Sequence, residues 1–267
     1  MATYLENVSG WFRQRLDGPG EMATAEDAVL GLKVLAVWRS RMIAQAIKTR
    51  IGSKVLAGPF AGMDYLDSAT EGALAPRLLG TYESELHPHI LAFADQRPDC
   101  VIDVGCAEGY YAVGLARLMP EAQVYAFDLD TNALDSCRQM AALNGVEARV
   151  EVSGAFLPET FERFAGRRCL VIMDVEGAEA DLLRPDLAPA LAHMTLIVET
   201  HDLIRAGARE LVESRFAATH DIIRVDPGPK AQPLPDFLQA VSHLDQLLAV
   251  WEFRAGPTPW LVMTPKA

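Results

Sequence analysis

The sequence predicts an α/β protein built on a seven-stranded, doubly wound sheet with helices on both faces and an N-terminal helical extension. Three observations carry this. After Arg97-Pro98, the runs CVIDV, QVYAFD, ARVEV, CLVIMDV and MTLIVET are rich in branched aliphatic residues, with too few polar positions for a sheet wetted on one face. Helix-like segments at 110–119, 132–143, 158–164 and 179–183 alternate with them, which implies right-handed β-α-β units and parallel strands. The chain has 267 residues, 50% hydrophobic and 22% charged, enough apolar matter for a full core and outside the disordered, collagen-like and disulfide-scaffold classes.

The length corresponds to between one and two domains, and the expected division is an N-terminal helical and lid region over 1–90 and a sheet domain over 91–267. The first periodic segment starts at Thr24, placed to cap a helix with Asp27 three residues on, and continues through Val29, Leu32, Leu35, Met42, Ile43 and Ile47. Its polar side carries Arg39, Arg41, Lys48 and Arg50, close to Lys54. A solvated face balancing an acidic chain is the plainer reading of that cluster, and an anion site or oligomer contact the sharper one. From Gly52 to Gly80, the punctuation by Gly58-Pro59, Gly62, Gly72 and Pro76 predicts turns, a small hairpin and loops. A helical stretch follows in which His87 and His89 flank Pro88, read as surface or lid residues. Beyond the five core strands come a helix over 204–215, the strand HDIIRV, a Pro-rich turn, a helix over 237–249 and the last strand WLVM, making seven.

Composition excludes several classes of function. With 24 basic and 36 acidic residues the formal charge is −12, so the surface repels polyphosphate and nucleic acid is not an expected partner. Trp11, Trp38, Trp251 and Trp260 are too dispersed to form a stacking track for bases. Cys100, Cys106, Cys137 and Cys169 form no Cys-x-x-Cys pair and read as reduced core residues. The opening MATYLENVSGWFRQR lacks the pattern of a secretory leader, and no apolar run reaches about 18 residues, so a cytoplasmic protein without a membrane partner is expected.

In an open parallel sheet, ligands bind beyond the carboxyl ends of the strands at the switch point. The first such end reads VIDVGCAEGYYAVGLA: a strand, the turn Gly105-Cys106-Ala107-Glu108-Gly109, then a helix whose N-terminus offers unpaired N–H groups. A dinucleotide site needs Gly-x-Gly-x-x-Gly, whereas Ala107 replaces the middle glycine and Glu108 brings a carboxylate where a pyrophosphate would lie. That pattern argues against an NAD(P)-dependent oxidoreductase. Asp103, just before the turn, adds a second negative charge, and the pair suits a ligand bearing an ammonium and a sulfonium, as S-adenosylmethionine does. Asp128 comes 19 residues after Gly109, at the tip of the second strand, where its oxygens can accept both ribose hydroxyl protons; Asp130 is the reserve. Leu129 or Phe127 is placed to pack on the adenine, and Ser153-Gly154-Ala155 after the third strand to meet its edge.

With these residues in order, the chain resembles the class I S-adenosylmethionine-dependent methyltransferases and, within them, the FkbM-type family. Asp103, Gly105 and Gly109 match the cofactor turn. The more specific match is VIMDVEGAEADLL, which looks like the family's Asp-x-Glu-Gly-x-Glu segment at Asp174, Glu176, Gly177 and Glu179; Asp128-Leu129 departs from the usual Glu-Pro. The resemblance implies a Rossmann-like methyltransferase sheet and O-methylation of a small-molecule or sugar-containing metabolite.

Asp174 closes the fourth strand and Glu199 the fifth, followed by Thr200, His201 and Asp202, so these tips are expected beside the transferred methyl group. His201 has the pKa of a general base for a hydroxyl acceptor. A rival arrangement has Asp174, Glu176, Glu199, His201 and Asp202 holding a divalent ion such as Mg²⁺. Glu179 is expected merely to favour the first turn of its helix. Upstream of the first strand, Gly80-Thr81-Tyr82-Glu83 can fold over the methionine end of the donor, with Tyr82 and Glu85 as contacts. His193, His220 and His243 read as structural. A non-catalytic adenosyl-binding protein remains the third class of function, and the N-terminal region is expected to cover the site or form a homodimer.

Overall fold

The computed structural model describes residues 2–16, 25–67, 69, 72–230 and 233–266. Among these, seven strands form one sheet: β1 Cys100–Val104, β2 Gln123–Phe127, β3 Val150–Ser153, β4 Cys169–Met173, β5 Thr195–Glu199, β6 His220–Val225 and β7 Trp260–Pro265, in the order β3-β2-β1-β4-β5-β7-β6. All pairs are parallel except β5 with β7 and β7 with β6, so β7 runs against the rest. The chain leaves β1 toward β2 and β3, then returns to β4 on the other side. The crevice between the tips of β1 and β4 is therefore the switch point.

Among the described residues ten α-helices accompany the sheet: α1 Ala2–Leu16, α2 Ala25–Ile51, α3 Leu74–Leu79, α4 His87–Asp95, α5 Tyr110–Leu118, α6 Thr131–Leu143, α7 Glu179–Leu182, α8 Ala208–Phe216, α9 Asp236–Gln239 and α10 His243–Ala249. Alternation along the strands divides the core into two layers. Val101, Leu170 and Ile172 face a cluster containing side chains from α2 to α6 and α10. Cys100, Ile102, Val104, Val171 and Met173 face another, with Phe161, Phe164, Ala180, Val212 and Phe216. Apolar residues on both faces of β1 and β4 are what a strand covered twice requires.

Thr24, the expected cap of the long N-terminal helix, lies outside the described residues. The helix itself is present, and Ile43, Ala44 and Ile47 enter the same apolar cluster as the sheet, with α2 packed on α3 and α10. Its basic cluster is largely committed within the chain: Arg39 pairs with Asp245, Lys48 with Asp67 and Lys54 with Asp64, while Arg50 lies over the Phe237 ring. Two expected helices differ. Residues 158–164 wind as a 3-10 helix beginning at Pro158, and the stretch 237–249 is broken into α9 and α10. Ser242 makes that break by accepting the Asp245 N–H as an N-cap, a local bond that competes with continuing the helix. All four cysteines are free and buried.

Candidate active site

The turn after β1 is held open by its glycines. Gly105 has φ +84°, and a Cβ there would overlap the Asp174 carbonyl, so no other residue fits where β1 and β4 end side by side. Gly109, at φ +95°, is the N-cap of α5, and a Cβ would come 2.8 Å from Cys137 Sγ. The N–H groups of Gly105 and Cys106 both donate to the Phe127 carbonyl, at 2.8 and 3.0 Å, which ties the turn to the tip of β2. Ala107 takes φ +45° between them, the left-handed conformation glycine adopts more readily, and its N–H donates to Asp128 Oδ2 at 2.9 Å.

A cavity of about 350 Å³ opens from this turn across the tips of β1, β4 and β5 and is roofed by the segments around Tyr82 and Arg254. Asp103, Gly105, Cys106, Ala107 and Glu108 line it, as do Tyr82, Asp174, Glu199 and His201, so most of the expected site does converge. Asp103 is 3% exposed, and its Oδ2 has no hydrogen-bond partner among the described residues. Burial, only partly offset by a backbone hydrogen bond from Ala112 and reinforced by the Asp128 charge, pushes its carboxyl up to about 8. An orphaned, buried carboxyl that resists ionising is a place a cationic ligand stabilises.

Asp128 stands half-buried beside the turn and does not line the cavity, with Oδ1 accepting the Asp130 N–H at 2.9 Å. It holds the loop by accepting this backbone N–H and that of Ala107. Its reserve, Asp130, is instead the N-cap of α6 through the Asn132 N–H. Leu129 is 83% exposed, and Gly154 and Ala155 are also exposed beside half-buried Ser153, at the tips of β2 and β3 and outside the cavity lining. Phe127 cannot join them, because its ring is buried against Phe156.

Several expectations need correction. Glu85 does not reach the cavity; it pairs with Lys230 at 2.7 Å, and the neighbouring Glu83 lines the cavity in its place. Glu108 is an acid in the turn, but its charge is answered inside the protein: Arg77 lies 3.2 Å away and the Tyr65 hydroxyl donates to it. The carboxyl left for a cationic ligand at this end is thus that of Asp103. Asp202 accepts the Arg209 N–H and pairs with its side chain, away from the other acids. His87 is buried next to Gly58 and outside the cavity.

At the far end, His201 is 4% exposed and Glu179 fully buried, and Nδ1 of the imidazole lies 2.5 Å from Glu179 Oε1. The same Glu179 oxygen accepts the Gly177 N–H, so the acid expected only to favour its helix orients the histidine. Nε2 faces the cavity, 3.4 Å from Glu176 Oε2, 3.6 Å from Asp174 Oδ1 and 3.9 Å from Glu199 Oε2. Burial by itself would lower the His201 pKa, but the Glu179 bond and the charges of Glu199, Glu179 and Glu176 outweigh it and raise it. Asp174 is pushed well above the carboxylate range by burial and by Glu199, Glu83 and Glu176.

Sequence reasoning missed the other half of this end. Arg254, on the segment before β7, donates to Glu252 at 2.9 Å and Glu83 at 2.8 Å and also to Glu199 and Thr258. Tyr111 donates to Glu83. These residues lie 171 positions apart at the extreme, between Glu83 and Arg254, with no local pattern to announce them.

Residues 97–161 match a family model described as a methyltransferase domain. Over 121 residues the chain is 33% identical to the ribosomal protein L11 methyltransferase of Psychrobacter arcticus, a segment covering 45% of this chain and 37% of that protein. Over 136 residues it is 28% identical to the release factor glutamine methyltransferase of a Synechocystis species, covering 49% and 42%. The chain spans less than half the length of these relatives. An O-methyltransferase structure from Bacillus cereus superposes with a TM-score of 0.47 at 11% identity, over 85% of this chain and 90% of that one. Among the described residues no helix is long and apolar enough to cross a membrane.

Proposed function

We propose that this chain is an S-adenosylmethionine-dependent methyltransferase acting on a small molecule. The observation that carries this is the buried Asp103 carboxyl, whose Oδ2 has no hydrogen-bond partner among the described residues, beside a glycine turn that opens into a cavity ending at His201. The matched methyltransferase-domain model supports it over the very residues that build the turn.

The donor supplies a methyl group on a positively charged sulfur. Asp103 offers its free oxygen to the cationic end of that ligand, Asp128 accepts ribose hydroxyls, and the N–H groups at the start of α5 face the turn. The shelf at Leu129 and Ser153-Gly154-Ala155 takes the adenine. Tyr82, with the Arg77 guanidinium 4.4 Å from its ring centre, closes the methionine end. His201 keeps its Nδ1–H on Glu179, so Nε2 is the atom free to take a proton from the acceptor. Positioning of acceptor and donor in line does the rest of the catalysis. The FkbM-type resemblance, carried by Asp174, Glu176, Gly177 and Glu179, points to a hydroxyl acceptor.

A second reading rests on one observation: ligand atoms of Asp174, Glu176 and His201 lie within 4.8 Å of one another. A divalent ion such as Mg²⁺ held there would acidify a hydroxyl, and Glu179 would fix the imidazole as a ligand in place of a base. Activity that survives thorough EDTA treatment removes this version.

Calorimetric titration with S-adenosylmethionine tests the main reading. Saturable binding that weakens in Asp128→Ala is expected; absence of heat with the unaltered protein, or saturable binding of NADH in its place, overturns it.

A further inference from the structure

The acceptor end of the cavity is unusually rich in carboxylates. Glu83, Asp174, Glu176, Glu199 and Glu252 line it, with Glu179 behind His201, and the guanidinium set among them is that of Arg254. Four of its five N–H donors are committed, to Glu83, Glu199, Glu252 and Thr258. The Nδ1–H of His201 is likewise spent on Glu179. What remains directed into the space is the Nε2 of His201, the exposed Glu176 carboxylate, and Asp174 Oδ1, which has no hydrogen-bond partner among the described residues and belongs to a carboxyl that burial and the neighbouring acids keep protonated until a cation enters. A phosphate, sulfate or carboxylate on the substrate would meet repulsion there in place of a strong donor.

The direction in which charge moves during transfer decides between the remaining acceptors. Methylating an oxygen draws on an alkoxide, and building a negative charge among Asp174, Glu176 and Glu199 opposes its formation unless a divalent ion is present. Methylating an amine carries a positive charge from sulfur to nitrogen, into the acid cluster, where each carboxylate stabilises it. Beyond the acids the rim is apolar. Leu203 and Ile204, 63% and 61% exposed, stand at the mouth with Phe253.

We infer that the acceptor atom is the nitrogen of a cationic amine on a small molecule with an apolar body, drawn in by Asp174, Glu176 and Glu199 and resting on Leu203, Ile204 and Phe253. The inference rests on the methyltransferase reading and replaces the hydroxyl expected from resemblance. The amine enters as R–NH3⁺ and passes one proton to His201 Nε2, leaving R–NH2 and an imidazolium held by Glu179. The nitrogen lone pair then forms the N–C bond as the C–S bond breaks; its electron pair stays on sulfur as a neutral thioether, and the product leaves as R–NH2⁺–CH3. No co-reactant beyond the donor is needed, and the imidazolium returns its proton to solvent.

Three probes with one body separate the acceptors: 2-phenylethylamine, 2-phenylethanol and phenylacetate. Each is titrated into the EDTA-treated protein saturated with the demethylated donor. The amine is expected to bind at least about tenfold more tightly than the alcohol, with the acid excluded. In Glu176→Gln, amine affinity falls by about fivefold while affinities for the alcohol and for S-adenosylmethionine stay constant. Incubation with isotopically labelled donor places the label on nitrogen. Equal or tighter binding of the alcohol or the acid, or binding of none of the three, overturns the inference, and S-adenosylmethionine affinity measured beside it leaves the cofactor reading standing. Failure of the donor to bind with the amine still ranked first has the opposite meaning: the cluster recognises amines and the methyltransferase reading falls.

Discussion

Glu179 Oε1 lies 2.5 Å from His201 Nδ1, with both side chains buried, and this contact couples the short helix α7 to the loop after β5. It fixes which imidazole nitrogen meets the cavity. It also raises the proton affinity of the imidazole, together with Glu199 at the tip of β5 and Glu176 on the loop before α7.

Glu179 therefore acts as a positioning residue, and Glu179→Gln distinguishes that role from a structural one. Because the His201 pKa is raised in the folded protein, activity is lost as pH falls through it. Removing the Glu179 charge moves this acid limb of the kcat profile downward by about one pH unit, with kcat reduced about 10–100-fold and donor affinity unchanged. A merely structural role predicts lower stability with the limb in place. The pairing also contributes folding stability that is complete below the unfolded His value and lost as pH rises through the folded one.

Donor binding should take up the strain of Asp103. Its carboxyl is protonated below about 8 in the free protein, and a cationic ligand favours the ionised form, so binding releases a proton. Affinity for S-adenosylmethionine then rises with pH by up to about tenfold per unit between pH 6 and 7.5. Asp103→Asn weakens binding and flattens most of that slope. A residual slope would report Glu83, which lines the same cavity and is also pushed up to about 8 by burial and Glu199. Calorimetry in buffers of different ionisation enthalpy counts the proton released.

Asp128→Ala removes a carboxylate that accepts the N–H groups of Ala107 and Asp130. Without these two charge-assisted bonds, and without an acceptor for the ribose hydroxyls, donor affinity is expected to fall by at least about tenfold, while kcat at saturating donor changes little. An equal fall in kcat would place Asp128 at the transfer step.

Arg77 and Glu108 form a buried pair 3.2 Å apart. Arg77→Met leaves Glu108 buried without its cationic partner and costs about 3–5 kcal/mol in urea unfolding, whereas Arg77→Met with Glu108→Gln recovers much of that stability. Equal destabilisation in the single and double variants would show that the charge of Glu108 is not what matters.

Ala107 holds φ +45° in the donor turn. Ala107→Gly relieves the left-handed penalty of an L-residue and is expected to stabilise the fold by about 0.5–1 kcal/mol, or about 1–3 °C in Tm, with the Asp128 contact kept because it uses the backbone N–H. A lower Tm would mean that the entropy cost of ordering glycine outweighs the strain.

How much of this was legible depended on the range of the interaction. CVIDV and CLVIMDV disclose strands covered on both faces because burial on two sides leaves no polar period, and VIDVGCAEGYY discloses the ligand turn because backbone geometry demands glycine at fixed places. Asp103, Asp128 and His201 were readable for the same reason: a strand tip at the switch point has a known address once the strand order is inferred. Glu85 was misplaced, since the 3-10 turn at Ser84–Leu86 decides that Glu85 faces Lys230 while Glu83, two positions earlier, faces the cavity.

The sequence by itself determined the layered sheet, the crevice and the glycine turn, because hydrophobic period and turn stereochemistry act between neighbours along the chain. Only the tertiary structure decided the charge balance of the cavity. That Arg77 neutralises Glu108, that Glu179 grips His201, and that Arg254 is consumed by Glu83, Glu199 and Glu252 follow from side chains brought together across the fold. Coulomb energies depend on distance and burial, and neither quantity is written in the order of residues.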